Sequence, residues 1–339
     1  MTQFFALTGL LLVFKIAVSN DTFDLFSDEF IDFINSNQTL WRAGRNFPKD
    51  IPLQYINLLA GTIRENFTSD NDILDNPPPY EISGSESEDD TLPENFDVRL
   101  RWPNCSVLNN VRDQGSCGSC WAVAAVGAMT DRFCISSNGK DNFYFAAGDV
   151  LSCCLNCGSG CGGGILKNAW MYYKRKGIVS GGEYGSHLGC QPYQIPPCDH
   201  HFAPDSLEPC GHNVKTPTCE TTCENNYGQS YGSDKKRCQT VYTIPKKNML
   251  KEIYKRGPVT TSFEVFADFL HYKSGVYRHV AGKYIGGHSV KLMGWGVENG
   301  VKYWLAANTW NDEWGDKGFF KILRDQNHCG IEDFFIAGI

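Results

Sequence analysis

Several kinds of segment are missing from this 339-residue chain, and each absence narrows its function. It has no run of basic residues, so the sequence offers no patch for nucleic-acid binding. The apolar stretch at residues 4–18 is too short to span a membrane comfortably. Internal repeats are absent as well. A hydrophobic content of 42% and a charged content of 20% then predict a soluble globular protein.

Cysteine is absent from residues 20–91, whereas residues 92–339 contain all fifteen. Charge changes at the same point: the first range holds 15 acidic and 4 basic side chains (−11), and the second holds 23 and 26 (+3). So many cysteines predict an oxidising compartment. Their odd number leaves at least one thiol free or paired with another chain. The chain therefore divides into an acidic segment and a cysteine-rich domain.

The N-terminus has the pattern of a cleaved secretory signal. Residues 4–18 are apolar, and Ala17-Val18-Ser19 supplies the small residues that a signal peptidase prefers. We predict a signal peptide over residues 1–19 and delivery to lysosomes or to an extracellular or digestive lumen. A buried N-terminal helix is the alternative.

The acidic segment over residues 20–91 predicts a removable pro-segment. It ends in three prolines at 77–79 and an acidic, serine-rich stretch that is typical of a flexible, protease-accessible linker. Maturation is expected near Thr91-Leu92. Asn37 and Asn66 begin glycosylation sequons. A permanent acidic regulatory arm is the alternative interpretation.

Residues 92–339 read as a helical half followed by a β half. The small apolar run Trp121–Met129 predicts a tightly buried helix, and Ile165–Lys176 predicts another. Residues 181–240 are rich in Cys, Gly and Pro and predict disulfide-linked loops. Alternating β-branched and aromatic residues then predict strands near 257–263, 287–296, 303–308 and 318–322.

Cys120 has the surroundings of a nucleophile, although a Cys-x-x-Cys pair alone would suggest metal or redox chemistry. At the first turn of a helix, unpaired N–H groups and the helix dipole favour a thiolate, which an adjacent imidazole would activate. His288 in the β half can supply the imidazole, and Asn308 can orient it. A structural or disulfide-bonded Cys120 and a structural His288 are the alternatives.

The run Cys117-Gly-Ser-Cys-Trp121, with a distant histidine and asparagine, resembles the papain-type cysteine proteases. The motif Trp-x-Ala-Gly-x-Asn-Phe at 41–47 resembles their pro-segments. The resemblance covers nearly all of residues 92–339. It implies an α+β, two-lobed papain-like fold, with a helical left lobe, an antiparallel β-barrel right lobe and the active-site cleft between them.

The resemblance also implies a role for each matching residue. Cys120 would be the nucleophile, His288 the general base and then acid, and Asn308 the residue that orients His288. The other implied roles are an oxyanion hole from Gln114 and the Cys120 N–H, substrate-backbone binding by Gly163 and Gly164, and shielding of the His–Asn hydrogen bond by Trp310.

Within this family, a cysteine-rich insertion near 190–223 is similar to that of the cathepsin B-like group. The similarity implies an occluding loop at about 198–210, whose His200 and His201 would bind the C-terminal carboxylate of a peptide. The expected result is release of C-terminal dipeptides. A zinc site formed by His200, His201 and nearby cysteines is the alternative. Residues 199–209 contain no Arg or Lys, so we expect a looser loop and relatively more endopeptidase activity.

The same resemblance implies six disulfides and leaves three cysteines over. The implied pairs are Cys105–Cys134, Cys117–Cys161, Cys153–Cys219, Cys154–Cys157, Cys190–Cys223 and Cys198–Cys210. Cys120 must be free to react, and Cys238 and Cys329 remain without an assigned partner.

Substrate specificity is expected to depart from the group. The S2 pocket of these proteases binds P2, the second substrate residue on the acyl side of the scissile bond. Related sequences carry a carboxylate at the floor of this pocket, whereas this chain has Phe334 there. The substitution predicts a preference for apolar P2 residues.

Together these features predict a zymogen of a cysteine protease that hydrolyses peptide bonds through an acyl-enzyme thioester, with peptidyl-dipeptidase and endopeptidase activity in protein turnover or digestion. We expect no cofactor and no metal. The expected partners are peptide and protein substrates, its own pro-segment and cystatin-type inhibitors, with no nucleic acid and no membrane span in the mature form. A catalytically silent homologue and a disulfide-rich binding module are the alternatives.

Overall fold

The computed structural model of this protein describes residues 24–64, 74–78, 92–198, 210–211 and 214–339. The predicted signal peptide, Thr91 at the predicted maturation point, Asn66, and the histidine pair at 200–201 lie outside the described residues. Asn37 lies within them, and its side chain is exposed at the end of a helix.

Short helices and strands of uneven length make up the described part of the chain. The helices are α1 (Asp28–Asn37), α2 (Leu53–Leu59), α3 (Val98–Arg101), α4 (Cys120–Ser136), α5 (Ala147–Cys153), α6 (Leu166–Arg175), α7 (Tyr231–Asp234) and α8 (Met249–Arg256). The strands are β1 (Trp41–Ala43), β2 (Phe96–Asp97), β3 (Val241–Thr243), β4 (Val259–Phe266), β5 (Tyr272–Tyr277), β6 (Tyr284–Glu298), β7 (Val301–Ala307), β8 (Phe319–Leu323) and β9 (Phe335–Gly338). Within the described ranges, every helix is too short or too polar to cross a membrane.

Helix α4 is the central helix, and it is buried over most of its length. The predicted small apolar run lies inside it, and Cys120 is its first residue, as the sequence indicated. Its alanine and glycine residues let neighbouring elements approach the helix backbone closely from every side, which suits a helix enclosed by other elements. Helix α6 also forms where the sequence predicted it.

The strands form one sheet in the order β1-β5-β8-β7-β6-β4-β9-β3, with β2 added beside β6. The expectation of a closed, fully antiparallel barrel was wrong in two respects. The sheet stays open because its end strands β1 and β3 each pair on one side only. In addition, β5 and β8 pair in parallel, because the chain crosses over between them.

The predicted pro-segment contributes a strand and part of the core to the β half of the fold. Strand β1 pairs antiparallel with β5. The Trp41 side chain is 1% exposed, its ring lies 5.2 Å from that of Tyr277, and its Nε1 donates to the Arg278 carbonyl at 2.9 Å. Asn46 donates to the Leu270 carbonyl at 2.9 Å. The pro-segment is therefore packed into the fold rather than laid over its surface.

Six disulfides hold the loops of the cysteine-rich domain together. Their pairing is the one that the family resemblance implied. The Cys117–Cys161 bond joins the turn before α4 to the glycine-rich loop at residues 158–164, so it fixes the approach to Cys120. Cys120, Cys238 and Cys329 are free thiols.

Candidate active site

Cys120 lies at the start of α4, and its side chain is fully buried beneath the pro-segment. The Thr62 hydroxyl is 3.1 Å from the Cys120 Sγ and 2.7 Å from the Ser289 hydroxyl. The sequence analysis did not identify Thr62 or Ser289, because neither belongs to a recognisable motif. Their contacts show that the pro-segment covers the thiol directly.

His288 and Asn308 are brought together by the pairing of neighbouring strands. His288 lies inside β6, four residues after its start rather than at its beginning as the sequence suggested, and Asn308 follows the end of β7. The His288 Nε2 is 2.7 Å from the Asn308 Oδ1, which also accepts from the Thr309 N–H at 2.8 Å. The Thr309 N–H identifies this atom as the amide oxygen, which can only accept hydrogen bonds. Nε2 therefore carries the proton of this contact, and Nδ1 of the neutral ring keeps its lone pair.

The imidazole is sealed from solvent on one face by Trp310. The two ring centroids are 4.7 Å apart, and both side chains are fully buried. Trp310 also donates to the Leu59 carbonyl of the pro-segment at 3.3 Å. Within the described residues, the His288 Nδ1 has no well-formed hydrogen bond.

The Gln114 side-chain amide is bound to the turn before α4 and to the pro-segment. Its Nε2 donates to the Cys117 carbonyl at 2.8 Å and to the Leu58 carbonyl at 3.3 Å, while its Oε1 accepts from Thr309 at 2.6 Å. A pro-segment carbonyl therefore uses the donor that could otherwise bind an oxyanion.

The pro-segment crosses the cleft as an extended chain after α2. Gly164 donates to the Gly61 carbonyl at 2.9 Å and accepts from the Ile63 N–H at 2.8 Å. Gly61 is required at this crossing, since a Cβ there would lie 2.1 Å from the Gly118 carbonyl oxygen. Gly164 is equally constrained, because a Cβ would lie 2.4 Å from the Trp121 ring.

The remaining predicted site residues are only partly grouped with these. Gly163 lies beside Gly164 with a positive φ of 111°, so its conformation favours glycine. Phe334 is buried among the side chains of the helical lobe, with 6% of its surface exposed. His200 and His201 lie outside the described residues. No cluster of possible metal ligands occurs in the part of the chain that the structure describes.

Burial sets the electrostatic state of the thiol and the imidazole. Burial raises the pKa of the Cys120 thiol above its ordinary value, and hydrogen bonds from Thr62 and nearby backbone groups only partly oppose it. Burial also lowers the pKa of His288 to about 4, although Asn308 favours the protonated ring. The lowered thiol pKa expected from the helix start is therefore not found while the pro-segment is bound. Both shifts favour the uncharged form of their group while the pro-segment is bound.

The comparisons with known proteins agree with this geometry. The sequence pattern of the papain family cysteine proteases matches residues 92–339, and that of the peptidase family C1 propeptide matches residues 26–66. The chain belongs to the papain family of cysteine proteases.

Its relatives narrow the group further. The chain is 43% identical over 312 residues to cathepsin B-like cysteine proteinase 4 of Caenorhabditis elegans, covering 91% of this chain and 90% of the relative. It is 39% identical over 325 residues to the cathepsin B-like cysteine proteinase of Schistosoma japonicum, covering 95% and 93%. The solved structure of procathepsin B S9 from Trypanosoma congolense superimposes with a TM-score of 0.77 at 35% identity, covering 93% and 98%. The protein is thus a cathepsin B-like cysteine protease that carries its pro-segment.

The raised pKa of the buried thiol predicts the reactivity of Cys120 in the zymogen. Because its pKa is raised, the thiolate is scarce at neutral pH, and we expect alkylation by iodoacetamide to become appreciable only in alkaline solution. Removal of the pro-segment should increase the rate at pH 7 by about 100-fold or more. Mass spectrometry of the Cys120 peptide measures both rates.

A Thr62→Val zymogen is the matched control, because it removes the hydroxyl and keeps the burial. If burial is the cause, this variant stays unreactive at neutral pH. Alkylation of the native zymogen at the rate of an exposed cysteine would contradict the prediction.

Proposed function

We propose that this protein hydrolyses peptide bonds by a Cys-His-Asn mechanism, with Cys120, His288 and Asn308 in the three roles. The observation that carries the proposal is the 2.7 Å contact between His288 Nε2 and Asn308 Oδ1, which leaves the His288 Nδ1 lone pair available for the thiol. The burial of Cys120 by an inhibitory segment supports the same assignment.

In the first step, His288 takes the Cys120 proton and the thiolate attacks the carbonyl carbon of the scissile bond. The tetrahedral oxyanion receives hydrogen bonds from the Gln114 amide and the Cys120 backbone N–H. Collapse breaks the C–N bond, and the imidazolium gives its proton to the leaving amine. The acyl group remains on sulfur as a thioester. Water, deprotonated by His288, then releases the acid and restores the thiol.

The backbone of the substrate is proposed to pair with the glycine-rich loop. Gly164 already makes two backbone hydrogen bonds to the pro-segment, and the same groups would serve a peptide substrate. Gly163 leaves room for this approach. Trp310 shields the His–Asn hydrogen bond, and Phe334 is proposed to form the apolar floor of the S2 pocket.

Covalent labelling tests this mechanism and separates it from a silent homologue. After acid activation, an epoxide inhibitor is expected to label Cys120, and Cys120→Ala should lose both labelling and hydrolysis. Gln114→Ala should keep the reactive thiol but lower kcat by about 10²–10³-fold, because one oxyanion donor is lost. Peptide mapping and steady-state kinetics give the two readouts.

Cys238→Ser is the matched control, since this buried free thiol lies in the core of the helical lobe. It should leave labelling unchanged. An activated protein that neither reacts with the inhibitor nor cleaves peptides would be a binding protein instead.

We further propose that the loop closed by Cys198–Cys210 gives the enzyme peptidyl-dipeptidase activity beside its endopeptidase activity. The disulfide closes this loop, and its Cys198 Sγ lies 3.1 Å from the Ser116 hydroxyl, on the turn before α4. His200 and His201 would bind the C-terminal carboxylate of a substrate, as adjacent imidazolium groups form a local anion site.

Deletion of residues 199–209 tests both the activity and the proposed looseness of the loop. We expect the release of C-terminal dipeptides to be lost while the cleavage of a protein substrate is unchanged. The double variant His200→Ala, His201→Ala should lose dipeptide release with the loop retained. A large gain in protein cleavage after the deletion would indicate a tightly closed loop and contradict the expectation.

The pro-segment is proposed to leave at acidic pH, after cleavage near Thr91-Leu92. Asp75 accepts from the Lys174 ammonium at 2.6 Å and from the Val241 N–H at 2.7 Å, and these contacts lower its pKa. A carboxyl group whose pKa is lower with the pro-segment bound than with it free stabilises the bound state at pH values above the free pKa, which is about 4. This stabilisation is lost as the pH falls through the pKa of the bound state.

His271 is proposed to weaken the binding of the pro-segment at a higher pH than Asp75 does. Its ring is buried under Phe26 and Phe30 of α1, its Nε2 is 2.7 Å from the Leu25 carbonyl, and burial lowers its pKa. Once uncovered, the imidazole binds protons at its ordinary pKa of about 6.5. Falling pH below that value therefore favours the form without the pro-segment.

Asp75→Asn is expected to raise the pH at which the pro-segment is released, since the ion pair with Lys174 is already absent. Electrophoresis after incubation across pH 3 to 7 measures the midpoint. Asp28→Asn is the matched control, because Asp28 pairs with Arg45 and Lys49 inside the pro-segment. Equal midpoints for Asp75→Asn and the native chain would contradict the role of Asp75.

A Cys120→Ala zymogen that loses its pro-segment as fast as the native one would exclude self-processing.

The proposed setting is the secretory pathway, with a lysosomal or secreted destination. Six disulfides in the cysteine-rich domain support an oxidising compartment. The exposed Asn37 side chain supports glycosylation of the pro-segment. Cystatin-type inhibitors are proposed partners of the open cleft.

A further inference from the structure

Residues 74–78 of the predicted pro-segment are anchored on the outer side of the end strand β3. The Asp75 carboxylate accepts from Lys174 Nζ at 2.6 and 2.8 Å, and Lys174 lies in the last turn of α6. The same carboxylate accepts from the Val241 N–H at 2.7 Å, and the Asp75 N–H donates to the Val241 carbonyl at 2.8 Å. Four hydrogen bonds therefore hold one aspartate by its side chain and its backbone together.

The residue before this aspartate supplies an apolar contact. Leu74 is half-buried and packs against the hydrophobic core of the helical half. The segment thus presents an aliphatic residue followed by a carboxylate, and it pairs through its backbone with an end strand. Backbone pairing of this kind is how an extended peptide adds to the edge of a sheet.

The fold assembles basic residues around this contact from two distant parts of the sequence. Residues 174–176 and 235–237 are basic triplets, each too short to form a charged patch by itself. Ile178 donates to the Lys236 carbonyl at 2.9 Å, and the Lys236 N–H returns to the Ile178 carbonyl at 3.0 Å. This bridge sets the two triplets side by side at the end of α6.

Two of these charges are compensated inside the cysteine-rich domain. Lys235 Nζ lies 3.6 Å from the buried Asp149 carboxylate, and Lys236 Nζ lies 3.7 Å from Asp141. Lys174 instead pairs with a residue of the predicted pro-segment, and its side chain is 29% exposed. Removal of that segment therefore takes the bound carboxylate away from Lys174 and makes the cation available to another acidic chain.

Positive charge extends beyond Lys174 along the same face. Lys176 and Arg237 are exposed, and the Arg237 side chain lies against Gly177, where a Cβ would be 2.8 Å from its Cγ. Burial lowers the pKa of Lys235, and the charges of Arg237 and Lys176 lower it further, although Asp149 opposes the shift. These basic side chains are therefore close enough to act on an approaching anion together.

This face is separate from the catalytic residues. Strand β3 lies three positions from β6 in the sheet order β6-β4-β9-β3, and a spacing of about 4.8 Å per strand puts about 14 Å between them. The predicted pro-segment nevertheless reaches both places, since Thr62 contacts the Cys120 thiol and Asp75 contacts β3. One extended chain can therefore occupy the cleft and the edge of β3.

We propose that Lys174 and Val241 form an exosite, a binding site outside the cleft, for an extended acidic segment of a protein substrate. The preferred segment has an aliphatic residue followed by aspartate. In the zymogen, Leu74 and Asp75 occupy the exosite. The inference rests on the proposed peptidase function and on removal of the pro-segment, and it adds a class of substrate: proteins that carry such a segment at a distance from the scissile bond.

The decisive measurement compares two internally quenched peptide substrates with the same Phe-Arg cleavage sequence. A flexible Gly/Ser linker joins this sequence to Leu-Asp-Asn-Pro-Pro in one substrate and to Leu-Asn-Asn-Pro-Pro in the other, and each is made in both orders. Linkage gives the segment an effective concentration in the millimolar range, so a weak contact is enough to lower KM. The acid-activated enzyme is expected to show a several-fold higher kcat/KM for the aspartate substrate in one order, through KM with kcat unchanged. Added salt should reduce the difference.

Lys174→Gln is expected to make the two substrates equal, because the partner of the aspartate is lost. Lys302→Gln is the matched control, since this lysine is 58% exposed and pairs with Asp325 on another part of the β half. It should keep the native difference. Hydrolysis of a Phe-Arg dipeptide substrate should be unchanged in both variants, which shows that the active site has folded.

Two kinetic results would overturn the exosite: equal kcat/KM for the aspartate and asparagine substrates in the native enzyme, or a difference that persists in Lys174→Gln. Failure of the peptidase function itself would look different, since no substrate would be cleaved and Cys120 would not be labelled.

Direct binding gives a second measurement that does not depend on catalysis. A fluorescent peptide of residues 73–79 is titrated into mature enzyme whose Cys120 is blocked by the epoxide inhibitor. We expect saturable binding that weakens several-fold when the peptide carries Asp75→Asn, and equal binding of the two peptides to Lys174→Gln, because the two changes remove one interaction.

The absence of saturable binding at millimolar peptide would contradict the exosite. Dextran sulfate serves as the probe for a different class of ligand. If it binds the basic face while the peptide does not, the face recognises sulfated polysaccharides and the proposal of a substrate exosite is wrong.

Discussion

The contact between helix α4 and strand β6 is the constraint on which the active site depends, because one element carries Cys120 and the other carries His288. A buried ion pair fixes it: Lys291 Nζ lies 2.5 Å from Asp131 Oδ2, and neither side chain is more than 6% exposed. Loss of one partner from such a pair typically costs about 3–5 kcal/mol, since the other charge is left buried. Burial raises the pKa of Asp131 to about 6 even though Lys291 opposes the shift. The thiol and the imidazole thus meet across an interface held by charge as well as by packing.

Much of this arrangement could be predicted from the sequence where the signal is local. The small residues after Cys120 indicated a buried helix, and alternation indicated β4, β6, β7 and β8. The pairing of His288 with Asn308 followed from a family resemblance, because nothing in a twenty-residue spacing places two strands side by side. The open sheet could not be foreseen, since closure depends on what the end strands meet. Thr62 was missed because its contact with the thiol arises only from where an extended chain crosses the cleft.

The pro-segment acts on the chemistry of the cleft as well as on access to it. It uses the Gln114 amide, covers the thiol with a hydroxyl, and buries an imidazole that carries a positive charge in the proposed mechanism. Each contact draws on a group that this proposed mechanism needs. The low dielectric that it creates favours the neutral thiol and neutral imidazole over the ion pair. Inhibition and the suppression of charge therefore have one physical cause.

The short strand β1 has a consequence for the protein after maturation. While it is present, one edge of β5 is paired through Trp41 and Arg42. When it leaves, that edge presents unpaired N–H and C=O groups next to the aromatic surface of Tyr272 and Tyr277, which Trp41 had covered. An uncovered strand edge beside an apolar patch is a template for the addition of another strand. Self-association of the mature enzyme, or capture of an extended partner chain, would thus begin at the surface from which its own N-terminal segment departed.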